Sequence, residues 1–414
     1  MIGSLLSQFV FLYPLLMAYV WITGAVAYYL HYERHSVALT DGLGDLLGLP
    51  LVSVIVPCFN EELHVAEVFG ALANLDYPNY EVIAVNDGST DATATLLDAL
   101  LETMPRLRVL HQASNQGKAV ALDTAALMAK GEYLMCIDGD SVLARDALPW
   151  MLRHFQHSPR VGAVTGNPRI RNRSTLLGRI QVGEFSSIVG LIKRSQRTYG
   201  RLFTASGVVA MFRRRALLHS GFWSRDILTE DIDVSWKLQT HHWDVRFEPR
   251  ALCWILMPET FSGLWNQRLR WAMGGIQSVL KYLWIIRVWK QRRMWPILLE
   301  YFTSVLWSYA MLGLILLGVL GQFIDLPPIW RVSLLPGWGS VILCSTSLLQ
   351  LFTASVLDRH YDERLWRSYF WAIWYPLLFW MVAAATTVVA LPLVLRRERG
   401  LRAVWVSPDR GVRE

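Results

Sequence analysis

Tyr133-Leu134-Met135-Cys136-Ile137-Asp138-Gly139-Asp140 is an apolar run of strand length that ends in two carboxylates separated by one glycine. Residues i and i+2 of an extended chain point the same way. Asp138 and Asp140 therefore face one site at the carboxyl end of a strand. Such a pair suits a divalent cation held against a diphosphate, because Mg²⁺ takes one or two carboxylates and fills its shell with phosphate oxygens. A surface Asp-Gly-Asp turn is the plain alternative, and the flanking sequence decides between them.

Upstream, Leu51 to Pro57, Glu81 to Asp87 and Leu107 to Leu110 read as further strands. Between them lie helical stretches, about Glu62 to Asn74, Asp91 to Met104 and Lys118 to Ala129. Regular alternation of strand and helix predicts an α/β domain with a mostly parallel sheet covered on both faces. Ligands of such sheets sit at the carboxyl ends of the strands. Polar residues collect at those ends: Asn60-Glu61-Glu62, Asp87-Gly88-Ser89, Gln112, then Asp138 and Asp140.

The chain has 414 residues, 53% hydrophobic and 18% charged, too polar for an all-membrane protein and too apolar for an ordinary soluble one. Four apolar segments are long enough to cross a bilayer: about Phe9 to Leu30, Ile297 to Ile324, Ser340 to Leu357 and Tyr369 to Leu395. The first lacks a charged n-region and a cleavage site, so it reads as a retained anchor. His31, Arg34, His35, Lys290, Arg292 and Arg293 flank the central region and place it in the cytoplasm. Three later spans leave the carboxyl end outside, yet Arg396, Arg397, Arg399 and Arg402 favour inside, and Pro376 and Pro392 interrupt the last span; that end's side stays open. The expected division is an anchor at 1–35, the α/β domain at 36–260, amphipathic interface helices at 261–295, three membrane segments at 296–395 and a tail at 396–414.

The net charge of +7 reads as loop arginines facing anionic lipid and phosphate, with no nucleic-acid footprint. Arg169, Arg171, Arg173, Lys193, Arg194, Arg197 and Arg201 are expected on solvated faces near lipid, a polar product path being the alternative. Cys58, Cys136, Cys253 and Cys344 show no metal-ligand spacing and read as buried thiols in a reducing compartment.

Asp87 at a strand tip accepts hydrogen bonds from a pyrimidine or ribose in this reading, while Thr90 and Asp91 suit helix capping equally well. Asn115-Gln116-Gly117-Lys118 opens a helix, where Lys118 is unfavourable unless an anion sits nearby. Glu230 and Asp231 fall in the first turn of a helix capped by Thr229, together with Asp233. A sugar transferase needs a carboxylate to take the acceptor's proton, and Asp231 is the candidate base. Gln267, Arg270 and Trp271 share one helix face: Arg270 to neutralise a leaving diphosphate, Trp271 as a platform for a sugar ring. Arg268 is expected toward lipid phosphate, on a run amphipathic enough for the membrane surface.

In this order the motifs resemble the processive membrane glycosyltransferases of family 2, which include cellulose, chitin and hyaluronan synthases. The resemblance rests on Val54 to Glu62, Asp87-Gly88-Ser89, Asp138-Gly139-Asp140, Thr229-Glu230-Asp231 and Gln267 to Trp271. Gly162 to Arg171, Leu228 to Leu238, Phe247 to Thr260 and Trp405 to Gly411 are similar to the catalytic subunits of bacterial poly-β-1,6-N-acetylglucosamine synthases.

The resemblance implies a GT-A-type domain inserted between transmembrane helices of a bacterial inner membrane, polymerising N-acetylglucosamine from UDP-N-acetylglucosamine with inversion and exporting the biofilm polymer. It also implies Mg²⁺, with Mn²⁺ as alternative, on Asp138 and Asp140. The catalytic set is Asp231, Glu230, Asp138 and Asp140. The substrate-binding set is Pro57, Asn60, Glu62, Asp87, Lys118, Asp138, Gln267, Arg270 and Trp271. A small membrane partner of the PgaD type, with cyclic-di-GMP between the two proteins, is the implied control. Family members often carry two amino-terminal spans where this chain shows one, which leaves the completeness of the start open. A hyaluronan- or chitin-type synthase is the neighbouring reading, and a catalytically silent nucleotide-sensing scaffold the distant one.

Overall fold

In the computed structural model, residues 2–34, 46–327, 330, 337–362, 365–371, 375–398 and 400–403 are described. His35, Arg399 and the 405–411 stretch lie outside them. The apolar runs become β1 (Val52–Cys58), β2 (Tyr80–Asn86), β3 (Leu107–His111) and β4 (Tyr133–Ile137), each within one residue of its expected ends. Every residue of β1 and β4 is buried, which is why they carry continuous apolar sequence in place of alternation. Helices α2 (Val65–Ala73), α3 (Thr93–Leu100) and α4 (Lys118–Met128) make the parallel crossovers.

Beyond β4 come β5 (Val142–Leu143), α5 (Ala147–His157), β6 (Val161–Ile170), α6 (Leu176–Phe185), α7 (Lys193–Tyr199), β7 (Val209–Arg213), α8 (Arg214–Ser220), α9 (Glu230–Thr240) and β8 (Asp244–Ile255). The eight strands lie in the order β3-β2-β1-β4-β7-β6-β8-β5. Four of the seven neighbouring pairs are parallel; β4–β7, β6–β7 and β5–β8 are antiparallel. The sheet is thus mixed past β4, at the point where β1 and β4 end and the carboxylates collect. Cys58, Cys136 and Cys253 are buried thiols, whereas Cys344 is half-buried.

Among the described residues, four helices have the length and apolarity to cross a membrane, within Leu5–Glu33, Trp289–Leu320, Trp338–Asp358 and Leu378–Arg396. They are α1 (Ile2–Tyr28), then, beyond α10 (Phe261–Lys281), α11 (Trp295–Leu320) and α12 (Trp338–Asp358), and, after the short α13 (Leu365–Tyr369), α14 (Tyr375–Arg396).

A buried ion cluster joins these helices to the sheet. Arg194 on α7 makes a two-pronged contact with Glu33, at 2.7 Å from each oxygen, and reaches Asp358 Oδ1 at 2.8 Å. Arg169 at the end of β6 meets Asp358 Oδ2 at 3.0 Å. Gly190 lets this cluster close, since a Cβ there would lie 2.2 Å from Asp358 Oδ2. The basic residues expected on solvated faces are therefore largely paired. Arg171 pairs with Glu67, Arg173 with Asp362, and Arg197 and Arg201 with Asp244. In a low-dielectric interior, a guanidinium persists only beside carboxylates.

The last helix and the residues after it pack back onto the central domain. α14 runs beside α10, with Phe379 against Leu264 at one end and Ala390 and Val394 against Ile276 at the other. The chain then returns to the sheet domain, where Ala403 N donates to Arg225 O at 2.9 Å. Pro392 is carried within the helix, which is not broken.

Candidate active site

The loop before α4 is shaped from beneath. Both Asp87 oxygens accept backbone N–H groups, from Gln116 at 2.7 Å and Gly117 at 2.8 Å. Gly117 has φ +88°, and a Cβ there would sit 2.5 Å from Ala403 O, so the tail fits only over a glycine. Burial raises the Asp87 pKa, with the two backbone donors opposing. Asp87 thus supports this loop, and each of its oxygens keeps a second acceptor position.

This loop presents Lys118 to the anions that its sequence position demanded, and they belong to the chain itself. Its ammonium lies 2.5 Å from Asp138 Oδ1 and 3.1 Å from Glu230 Oε1, and donates to Gly207 O at 3.3 Å. Burial opposes its charge, but Asp138, Glu230 and Asp231 outweigh burial and hold its pKa well above the usual value. Burial pushes Asp138 up to about 6, Lys118 pulling against it and Asp140 adding repulsion.

Asp231, in the first turn of α9, is raised by burial and then by the charge of Glu230. Its Oδ2 accepts from Gly207 N at 3.1 Å and from Thr204 Oγ1 at 3.4 Å. Thr229 occupies the N-cap position, but its hydroxyl forms no cap bond. It is instead turned onto Gly274 of α10, where a Cβ would lie 2.1 Å from it.

On α10, Gln267, Arg270 and Trp271 do share a face, and it lines the same space. Gln267 Oε1 is buried and has no partner among the described residues, so it offers a free acceptor in the cavity wall. Arg268 departs from expectation. It is buried, pairs with Glu184 at 2.6 Å and stacks 4.6 Å from the Trp271 ring centroid. A guanidinium next to a buried carboxylate and an indole face has no reason to seek lipid. Burial raises Glu184 to about 7 against the pull of Arg268.

These groups surround one cavity of about 510 Å³. Asp138, Asp140, Lys118, Glu230, Asp231, Gln267, Arg270 and Trp271 line it, and so do Tyr301 of α11 and Thr386 and Thr387 of α14. In sequence Glu61 stood only within a polar strand-end cluster and Lys193 only within a basic cluster, while the Thr204-Ala205-Ser206-Gly207 strap and the membrane-helix walls were not singled out. Of the last two, only the strap had a signal, a small polar cluster just before a strand. Pro57, Asn60 and Glu62 are not brought to the cavity. Asn60 and Glu62 tie the β1 and β2 loops together, accepting from Thr90 N at 2.9 Å and Ala92 N at 3.0 Å. Asp91 accepts from Glu62 N and Thr93 N, which supports the capping reading.

Among the described residues no three His, Cys, Asp or Glu side chains converge on a metal position. Asp138 and Asp140 supply hard oxygen donors to a cavity with Glu61, Glu230 and Asp231 also in its wall. That donor set fits a cation whose remaining ligands are phosphate oxygens and water.

Residues 50–274 match the family model "Glycosyltransferase like family 2". The chain is 36% identical over 405 residues to a poly-β-1,6-N-acetyl-D-glucosamine synthase of Staphylococcus epidermidis, covering 98% of both. It is 36% identical over 408 residues to the enzyme of that name from Staphylococcus aureus strain COL, again over 98% of each. Among solved structures it superposes on a mannosyltransferase from Pyrobaculum calidifontis, in complex with GDP-Man and Mn²⁺, with TM-score 0.63 and 21% identity. That match covers 95% of this chain and 98% of the other, and speaks for the fold. The chain is a hexosyltransferase with a GT-A-like fold and belongs to glycosyltransferase family 2, in the group of the poly-β-1,6-N-acetyl-D-glucosamine synthases.

Proposed function

We propose that this membrane protein polymerises N-acetylglucosamine from UDP-N-acetylglucosamine into a β-1,6-linked chain, with inversion, and passes the product along its own membrane helices. The observation that carries the reading is the single cavity whose wall runs from Asp138 and Asp231 to Tyr301, Thr386 and Thr387. Asp231 takes the acceptor hydroxyl proton while the oxygen bonds to the anomeric carbon and the bond to the diphosphate breaks. Its burial and raised pKa suit a carboxylate that must hold a proton in a closed site. Arg270 balances the charge left on the diphosphate, and Trp271 carries the acceptor ring. Asp138 and Asp140 would hold a divalent cation, which when bound supplies charge neutralisation for the diphosphate. Inversion needs a single base, here Asp231, and no second carboxylate as a covalent nucleophile.

In this proposal the catalytic domain faces the cytoplasm, where nucleotide sugars are made, across a bacterial inner membrane. Control by a small membrane partner of the PgaD type with cyclic-di-GMP is part of the same reading. Inverted vesicles given labelled UDP-N-acetylglucosamine test it, with and without UDP-glucuronate, the neighbouring small membrane protein and cyclic-di-GMP. The expected product needs no glucuronate, resists chitinase and yields to a β-1,6-N-acetylglucosaminidase. A strict need for UDP-glucuronate, or cleavage by chitinase, overturns the reading.

A further inference from the structure

Lys193, the first residue of α7, is only 6% exposed and lines the cavity that holds Asp231. Lys118, Lys237 and Lys281 each pair with a carboxylate. Lys193 does not: among the described residues its one hydrogen bond runs to Thr165 Oγ1, at 3.1 Å. That hydroxyl is already saturated. It also accepts from Ser206 N at 2.9 Å and donates to Val209 O at 3.4 Å, which uses two acceptor positions and one donor.

The other N–H groups of Lys193 have no hydrogen-bond partner among the described residues. The nearest aromatic face, Phe247, is 6.0 Å away, and Phe185 and Val189 add apolar cavity wall. Burial pulls the amine down to about 7, with Asp231 acting against burial. An unpaired amine in such surroundings is costly unless a ligand oxygen completes it. Its anchor also touches the strap that holds the base: Ser206 bonds to Thr165, while Thr204 and Gly207 bond to Asp231.

We propose that Lys193 is a specificity-determining residue of the acceptor pocket. Its unused N–H groups donate to the amide carbonyl oxygen of an N-acetylated amino sugar at the acceptor chain end. They disfavour an acceptor whose amine is free and protonated. The inference rests on the reading of this cavity as an N-acetylglucosamine polymerase. A protonated sugar amine offers no acceptor to the Lys193 N–H groups, whereas an amide oxygen is a strong acceptor in a dry site.

The full-length protein in proteoliposomes is given a β-1,6-linked N-acetylglucosamine trisaccharide or its de-N-acetylated counterpart, and kcat/KM is measured for each. Wild-type protein is expected to favour the acetylated acceptor. Lys193→Met is expected to cut that preference by up to about tenfold, the size of one lost hydrogen bond. Should Lys193→Met fail to accumulate, Lys193→Gln carries the test, since it keeps an N–H donor and removes the charge; it is expected to retain part of the preference. A wild-type ratio in either active variant overturns the inference, as does a rise in donor KM with acceptor preference unchanged. Failure of wild-type protein to transfer N-acetylglucosamine at all contradicts the function reading instead.

Discussion

Arg268 lies 4.6 Å from the centroid of the Trp271 ring, held there by a 2.6 Å ion pair to Glu184. Phe185 approaches the same indole at 6.4 Å, so the proposed sugar platform is fixed from beneath by neighbours on α6 and α10.

Glu184→Gln leaves the Arg268 guanidinium buried and unpaired, a loss of about 3–5 kcal/mol, and Arg268→Gln leaves the Glu184 carboxyl buried without its partner. The double variant removes both charges and is expected to be more stable than either single one. Thermal melting in detergent checks this. The acceptor KM of the double variant is expected to rise while donor KM stays near wild type.

The Glu184 pKa also sets a pH dependence of stability. Its folded value, about 7, lies above the free value of 4.5, so the folded state binds the proton more tightly. This contribution is full below about 4.5 and lost as pH rises through about 7. Part of the melting-temperature gain on going from pH 7.5 to pH 5 is therefore expected to vanish in Glu184→Gln.

Gly274→Ala places a methyl group against Thr229, where 2.1 Å separates the added Cβ from the hydroxyl. Because Thr229 begins the turn that carries Glu230 and Asp231, α10 and the base must part. Overpacking of this kind costs about 1–3 kcal/mol. Transfer activity is expected to fall, and Thr229→Gly in the same chain to restore part of it.

Asp231→Asn removes the proton acceptor while keeping shape. The polymerisation rate is expected to fall about 10²–10⁴-fold, the range of general-base contributions. Donor binding is expected to persist in titrations with UDP-N-acetylglucosamine. Full polymerising activity in this variant contradicts the base assignment.

The first half of the sheet was readable because β1 and β4 are buried on both faces and so carry unbroken apolar sequence. β5 has only two residues, and β7 runs antiparallel beside β4, a pairing that no local pattern announces. Within the site, Asp138, Asp140, Asp231 and the Gln267–Trp271 face were legible because strand and helix periodicity sets their direction. Lys193 and Arg268 were not. Each reads as a surface cation along the chain, and only tertiary packing brings Thr165 to the first and Glu184 to the second. Asn60 and Glu62, a polar cluster at a strand end, show the limit of such reading: their bonds to Thr90 N and Ala92 N join two loops, a pairing that no local pattern announces.

The most direct test of the central claim is incorporation of labelled UDP-N-acetylglucosamine by purified protein in proteoliposomes. It is measured with Mg²⁺, after chelation, after Mg²⁺ is restored, and in Asp140→Asn. The account predicts polymer with Mg²⁺, none after chelation, recovery on restoration, and near-complete loss in the variant. Equal polymer with the metal stripped, or from Asp140→Asn, contradicts it.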